Sequence, residues 1–337
     1  MLRTALCNQL GIEHPIFSVG MGPAAGVELV AAVCNAGACG VLGGSMLPPT
    51  YLREQIKSVR KRTAKPFGVN IILSLLRGGE IEACLEERIP VLVLFWGDAA
   101  PYINDAHRRG TKVVLQVGSV VEAVAAARAG VDAVIAQGIE AGGHVKSTTS
   151  LSTLLPSVVD AVHPVPVIAA GGIGNGRSIV AALGLGAHAV SMGTRFLASE
   201  EARVPREYKD RVVQSKAEDT VYTSLFDIGW PDAPHRVLKN RTLAEWEAAG
   251  RPPAGQRPGE GTYIGTVPNI VKPGAIVNVR KYSGLIVIDG FSGDMESAAL
   301  FAGESCGLVN DIRPAAQIVR DLMAEADAVL AQLHVTS

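Results

Sequence analysis

One of the seven histidines has a setting suited to proton transfer. His144 ends the run Gln137-Gly138-Ile139-Glu140-Ala141-Gly142-Gly143-His144. An imidazole titrates near neutrality and can take a proton from a carbon acid. Gly142 and Gly143 allow the backbone to lie against a flat ligand while His144 projects over it. A solvated loop histidine is the competing reading. His14, His107, His163, His188 and His235 lack such a setting and read as capping, packing or solvent-facing residues. Asn70, Gln116 and Gln137 carry neutral amides that both donate and accept. Such groups suit the edge of a heteroaromatic ring, although each taken alone fits a satisfied buried amide equally well.

Two glycine loops add a different chemistry. They are Ala170-Gly171-Gly172-Ile173-Gly174 and Gly193-Thr194-Arg195. Glycine lets backbone N–H groups approach an anion closely. Either loop alone is as well explained by a tight turn; the pair favours a phosphate. The helix expected to start near Gly174-Asn175 would point its N-terminus at that anion. Arg177 and Arg195 are candidate cations for it. No Gly-Lys-Ser/Thr occurs, and Gly171-Gly172-Ile173-Gly174-Asn175-Gly176 has the wrong spacing for a dinucleotide fingerprint. The five cysteines show no metal-ligand spacing, so no metal is expected; Cys34 and Cys39 read as packing residues.

These residues need a scaffold that brings loop ends together. Short apolar runs recur at Ile16–Val19, Cys39–Leu42, Phe67–Ile72, Val91–Phe95, Lys112–Val117, Ala133–Ala136, Val167–Ala170 and Ala189–Met192. Several are apolar on both faces, as strands of a buried parallel sheet are. Stretches of helical spacing lie between them. Ser119-Val120-Val121-Glu122 reads as a capping box, and Pro48-Pro49 as a helix start. Gly130 to Gly138 and Gly186 to Gly193 repeat one plan, in which a glycine ends a helix, a strand follows, and a second glycine opens a loop. Eight strand–helix units close most economically into a (β/α)8 TIM barrel; a doubly wound open sheet is the alternative. In such a barrel the loops after the strands form one mouth. That places Met21 and Gly22, Asn70, Gln116, Gln137 to His144 and both glycine loops around a common site.

The pattern breaks after Phe196. Glu200 to Asp219 is charged and helical in character, Thr220 to Ile228 is strand-like, and Arg251 to Gly261 is a loop by composition. Helical periodicity returns near Glu296, breaks near Gly303–Pro314 and runs to the C-terminus. The expected organisation is a barrel of residues 1–204 and 293–337 with an inserted smaller α/β segment, 205–292, as a substrate-facing lid, and the last helices completing the outer ring. The 337 residues are 48% hydrophobic with a formal net charge of −1. That argues against nucleic acid and anionic membrane as partners. No run is long and apolar enough to span a bilayer, and the first residues lack a signal-peptide pattern. A cytoplasmic enzyme is expected, with self-association left open.

The motifs resemble those of nitronate monooxygenases, formerly 2-nitropropane dioxygenases. The resemblance rests on Gln137–His144, Val167–Ile173 and the run Met192-Gly193-Thr194-Arg195-Phe196-Leu197. Gly11–Ile16, Phe67–Asn70 and Ala302–Gly307 also match. It implies non-covalent FMN with its phosphate on Gly171-Gly172 and Gly193-Thr194. The ring is implied near Met21, Gly22, Asn70, Gln116, Gln137 and Gly142-Gly143, with Ala170 and Met192 also at the cofactor. It implies His144 as the catalytic histidine. The implied reaction is oxidation of an alkyl nitronate, or a nitroalkane, by dioxygen to a carbonyl compound and nitrite. Related barrels use NAD(P)H to reduce quinones or enoyl thioesters, which is the alternative function. Tyr282-Ser283, Ser292-Gly293 and Trp230 are the unassigned candidates of the inserted region.

Overall fold

The computed structural model describes residues 2–334. The strands in chain order are β1 (Ile16–Ser18), β2 (Val41–Gly43), β3 (Gly68–Ile72), β4 (Val91–Phe95), β5 (Lys112–Val117), β6 (Ala133–Gln137), β7 (Gly143–His144), β8 (Val167–Ala170) and β9 (Ala189–Met192). All but β7 form one parallel sheet, ordered β1-β9-β8-β6-β5-β4-β3-β2. A parallel bridge between Phe17 and Cys39 brings β1 back to the start of β2. Cys39 N donates to Ile16 O at 2.8 Å and Ser18 N to Cys39 O at 3.0 Å. The sheet therefore closes into the (β/α)8 barrel, and the open sheet is excluded.

Strand pleating sorts the side chains into two layers. Val91, Val93, Val114, Ile135, Ile168 and Ala189 fill the barrel interior. Their neighbours Leu92, Leu94, Val113, Val134, Val167 and Val190 face the helices. Two-sided burial is why these strands read as unbroken apolar runs. Helix α1 (Ala5–Leu10) sends Leu6, Cys7 and Leu10 into the inner layer and so closes the barrel floor.

The outer helices are α2 (Val27–Asn35), α3 (Pro49–Arg62), α4 (Glu80–Glu86), α5 (Ala100–Arg108), α6 (Val120–Ala129), α7 (Leu151–Val162) and α8 (Gly176–Gly184). Pro49 is the first residue of α3, as read from sequence. At α6 the Ser119 hydroxyl accepts from Glu122 N at 3.2 Å. The Glu122 carboxylate reaches back to Gly118 N at 2.7 Å, one residue further than a strict capping box.

After the four-residue α9 (Thr194–Leu197) the chain leaves the barrel. It forms α10 (Arg206–Gln214), β10 (Thr220–Thr223), β11 (His235–Leu238), α11 (Arg241–Ala248), β12 (Tyr263–Pro268), β13 (Ile276–Arg280) and β14 (Ser292–Gly293). Two antiparallel sheets result, ordered β10-β11-β7 and β13-β12-β14. The first of them ties the His144 segment to the excursion. The helix expected from Glu296 is instead two short 3-10 turns, Met295–Ser297 and Glu304–Leu308. Gly303, Gly307 and Pro314 disfavour a continuous α-helix there. The last helix, α12 (Ala315–His334), begins just past Pro314 and packs against α8 and α2, which is the eighth place in the outer ring. Among the described residues no helix is long and apolar enough to cross a membrane.

Candidate active site

A cavity of about 470 Å³ opens at the C-terminal mouth of the barrel. The inward-facing amides Asn70, Gln116 and Gln137 stand on its wall, with Met21 and Gly22 from the loop after β1. Gly142 and the β7 residues Gly143 and His144 line it, with Ala170 to Gly172 at the end of β8, and Gly193 and Thr194 at the start of α9. Met192 is the exception among the expected residues. Its side chain belongs to the layer between barrel and helices, with Val190, whereas Ser191 shares the inward parity of Ala189 and lines the cavity in its place.

His144 is held from both sides. Its Nδ1 lies 3.1 Å from the Ala233 carbonyl. A carbonyl only accepts, so Nδ1 carries the proton and Nε2 the lone pair. His235 donates from its own Nδ1 to the same carbonyl at 3.0 Å, and its Nε2 accepts the Phe226 N–H at 3.2 Å. The two histidines are cross-strand partners, since His235 in β11 pairs with His144 in β7. The His144 ring packs 4.0 Å from the Trp230 ring and 5.5 Å from Phe301, centre to centre. Burial pushes the imidazole down to about 3, the neighbouring His235 acts in the same direction, and the Ala233 carbonyl opposes only in part. The result is a neutral imidazole with one free nitrogen on a largely apolar wall.

The flavin expectation can be tested against unsatisfied groups. Gln137 donates from Nε2 to the His144 carbonyl at 3.0 Å, yet its buried Oε1 has no partner among the described residues. A buried polar atom left unpaired is costly unless a ligand pairs with it. Asn70 donates to Val93 O at 3.2 Å. It approaches Gly20 so closely that a Cβ there would sit 2.4 Å from Asn70 Cβ. Among the described residues, none of the N–H groups of Gly171, Gly172, Gly193 and Thr194 donates to a protein atom. Gly171 and Gly172 have φ of +111° and +68°, a region that favours glycine. Free backbone donors on two adjacent loops fit a phosphate, and the orphaned amide oxygen fits a ring bearing an N–H.

Two expectations about the anion are corrected. The N-terminus of α8 is already capped: Asn175 Oδ1 accepts Ser178 N at 2.9 Å, Ser178 Oγ accepts from Gly174 and Asn175, and Glu325 accepts Gly176 N at 2.7 Å. The N–H groups of Gly176, Ser178 and Ile179 are thereby taken within the protein. Arg195 is buried and bound to Asp311 at 2.9 Å and to the Ala198 and Asp311 carbonyls. Arg177 is solvated beside Glu325. Neither arginine is on the cavity wall, so the cradle consists of neutral donors.

The excursion supplies what sequence reasoning missed. Val267, Ile270, Val277 and Ile286 roof the cavity, beside Trp230, which the sequence did single out. Met46 stands on its wall in the left-handed region at φ 62°. Tyr282 is buried under Arg257 instead, and Ser292-Gly293 forms an exposed edge strand, so neither pair reaches the cavity. Cys34 and Cys39 are buried, with burial driving both thiols upward, as packing residues should be. Arg236 has no sequence signature. Its guanidinium is buried, donates to Ile139 O at 3.1 and 3.0 Å and to Thr220 Oγ1 at 3.0 Å, and pairs with Glu304 at 3.1 Å. It thereby fastens the bend that carries His144. Arg236→Met is expected to destabilise the fold by about 2 kcal/mol, the net worth of charged hydrogen bonds. Urea unfolding checks this, and an unchanged midpoint would remove the fastening role.

A sequence profile of the nitronate monooxygenase family matches residues 3–90 and 77–325. The chain is 28% identical to a probable nitronate monooxygenase of Staphylococcus aureus over 97% of its own length and 98% of the relative's. It is 39% identical, over 74% of its length and 70% of the relative's, to the 5-hydroxy-7a-methyl-1-oxo-octahydro-1H-indene-4-carboxyl-CoA dehydrogenase of Mycobacterium tuberculosis. Among solved structures it resembles FabK of Thermotoga maritima, with TM-score 0.82, 33% identity and 100% of both chains covered. It also resembles nitroalkane oxidase of Streptomyces ansochromogenes, with TM-score 0.79 and 27% identity, covering 98% of this chain and 100% of that one. The chain thus belongs to the nitronate monooxygenase family and is an oxidoreductase of the flavin-dependent type.

Proposed function

We propose that this chain is an FMN-dependent oxidoreductase that oxidises alkyl nitronates, or their parent nitroalkanes, with dioxygen to a carbonyl compound and nitrite. The observation that carries the reading is His144, neutral and with a free Nε2 on the cavity wall. The N–H groups of Gly171, Gly172, Gly193 and Thr194 would hold the FMN phosphate. Asn70, Gln116, Gln137, Met21, Gly22 and Gly142-Gly143 would surround the ring. When bound, the flavin supplies the electron transfer to dioxygen. The chain's own part is proton handling and exclusion of water. A neutral nitroalkane gives its α-proton to Nε2 of His144, while Nδ1 stays on the Ala233 carbonyl and holds the ring in place. A nitronate arrives without that proton, and His144 then only orients it. Residues 205–292 serve as the substrate-facing lid, with Trp230 over the imidazole limiting access of water.

A second reading is an NAD(P)H-dependent flavin reductase of quinones or enoyl thioesters. The apolar roof of Val267, Ile270, Val277 and Ile286 favours it, because a bulky apolar substrate would cover these side chains better than a small nitronate. The similarity to a carboxyl-CoA dehydrogenase points the same way. Two assays on one preparation separate the readings. Nitrite release from a nitronate in air without NAD(P)H is expected under the first. Rapid anaerobic bleaching of the yellow protein by NADH or NADPH, with no nitrite release, would replace it with the second.

A further inference from the structure

We propose that the Ser305 hydroxyl is a ligand of the cofactor phosphate, contributed from beyond the excursion to the cradle of the two glycine loops. The proposal rests on the FMN reading above. Ser305 belongs to the 3-10 turn Glu304–Leu308, more than a hundred residues past both glycine loops. The fold nevertheless lays this segment across them. Gly303 N donates to Thr194 Oγ1 at 2.9 Å within the buried interior. The Ser305 carbonyl lies 3.1 Å from where a Cβ on Gly174 would stand. Glu304 N donates to Glu140 O at 3.0 Å, which fixes the turn to the His144 loop as well.

Ser305 itself is 5% exposed and stands on the cavity wall. Its hydroxyl has no partner among the described residues; the neighbouring Thr194 hydroxyl accepts the Gly303 N–H and keeps its own O–H as a further donor. The hydroxyl is not sealed off from the cavity, so its O–H is available to a ligand there. The cradle offers such a ligand, an anion with several acceptor oxygens. Arg195 is bound to Asp311 and Arg177 is solvated, and among the described residues no Lys or Arg lines the cavity. In a cradle of neutral donors each hydrogen bond to a charged group carries a large share of the binding.

The test is titration of the full-length protein, stripped of flavin, with FMN and with riboflavin, followed by quenching of flavin fluorescence. Riboflavin has the same ring and no phosphate. Wild type is expected to bind FMN more tightly than riboflavin. Ser305→Ala is expected to weaken FMN about 10-fold or more, as loss of one hydrogen bond to a charged group predicts, and to leave riboflavin within about twofold. Ser305→Thr, which keeps the hydroxyl, should restore FMN affinity. If wild type binds both flavins equally, the phosphate reading itself fails. If wild type discriminates and Ser305→Ala keeps the same ratio, or weakens both flavins alike, the Ser305 contact is overturned while the phosphate reading stands.

Discussion

Replacing His144 with alanine is expected to lower kcat on neutral nitroalkanes about 10²–10⁴-fold, the range for loss of a positioned general base, while turnover of pre-formed nitronates falls far less. The asymmetry follows from where the proton is. A nitroalkane must lose its α-proton before it can be oxidised, and among the inward groups His144 Nε2 is a neutral base with its lone pair free. The amides of Asn70, Gln116 and Gln137 are too weakly basic for that task. A nitronate has already paid that step in solution. Flavin content should survive the substitution, because the free N–H groups of the cradle lie on the loops after β8 and β9. Steady-state rates on both ionisation forms, with the flavin spectrum recorded for the same preparation, check this. Equal losses on the two forms would show that His144 orients substrate and does not abstract a proton. Unchanged rates on both would remove it from the chemistry.

The barrel was legible because its strands are buried on both faces, so that runs such as Val91–Phe95 and Ala189–Met192 appear as unbroken apolar segments. The site was legible for the opposite reason. Asn70, Gln116 and Gln137 are polar residues in inward positions of apolar strands, and all three stand on the cavity wall. Met192 turns its side chain toward the helices, because one residue along a strand changes the face. The capped end of α8 was readable in principle, since Asn175 and Ser178 stand three apart at a helix start. The excursion was not readable in the same way. β12 contains a glycine and ends in proline, and β11 begins with His-Arg, so neither gives a clean alternation. His235, Arg236 and Phe301 act on His144 across intervals of more than ninety residues. Their convergence depends on β11 choosing β7 as its partner, which no local pattern encodes.

The buried imidazole also fixes how stability responds to acid. His144 titrates at about 3 in the folded chain, against about 6.5 in the unfolded one. Between those values the unfolded chain holds a proton that the folded chain does not. Unfolding therefore takes up a proton, and stability falls as pH is lowered from 6.5 toward 3. Near pH 4 the loss at this site alone amounts to about 3 kcal/mol. His235, lowered by its own burial, contributes with the same sign. The lowered carboxylates Glu13 and Asp132 also lose stability in acid, at lower pH and equally in any His144 variant. Denaturant midpoints of wild type and His144→Gln between pH 7 and 4.5 isolate the histidine. Wild type should lose stability more steeply, by close to one proton per molecule below pH 6, and parallel slopes would mean that the imidazole is hydrated and titrates normally. The same burial predicts the activity profile. With the base form retained well below neutrality, the acid limb for neutral nitroalkanes should fall below pH 5, and a limb at the ordinary histidine value would assign it to another group or to a solvated His144.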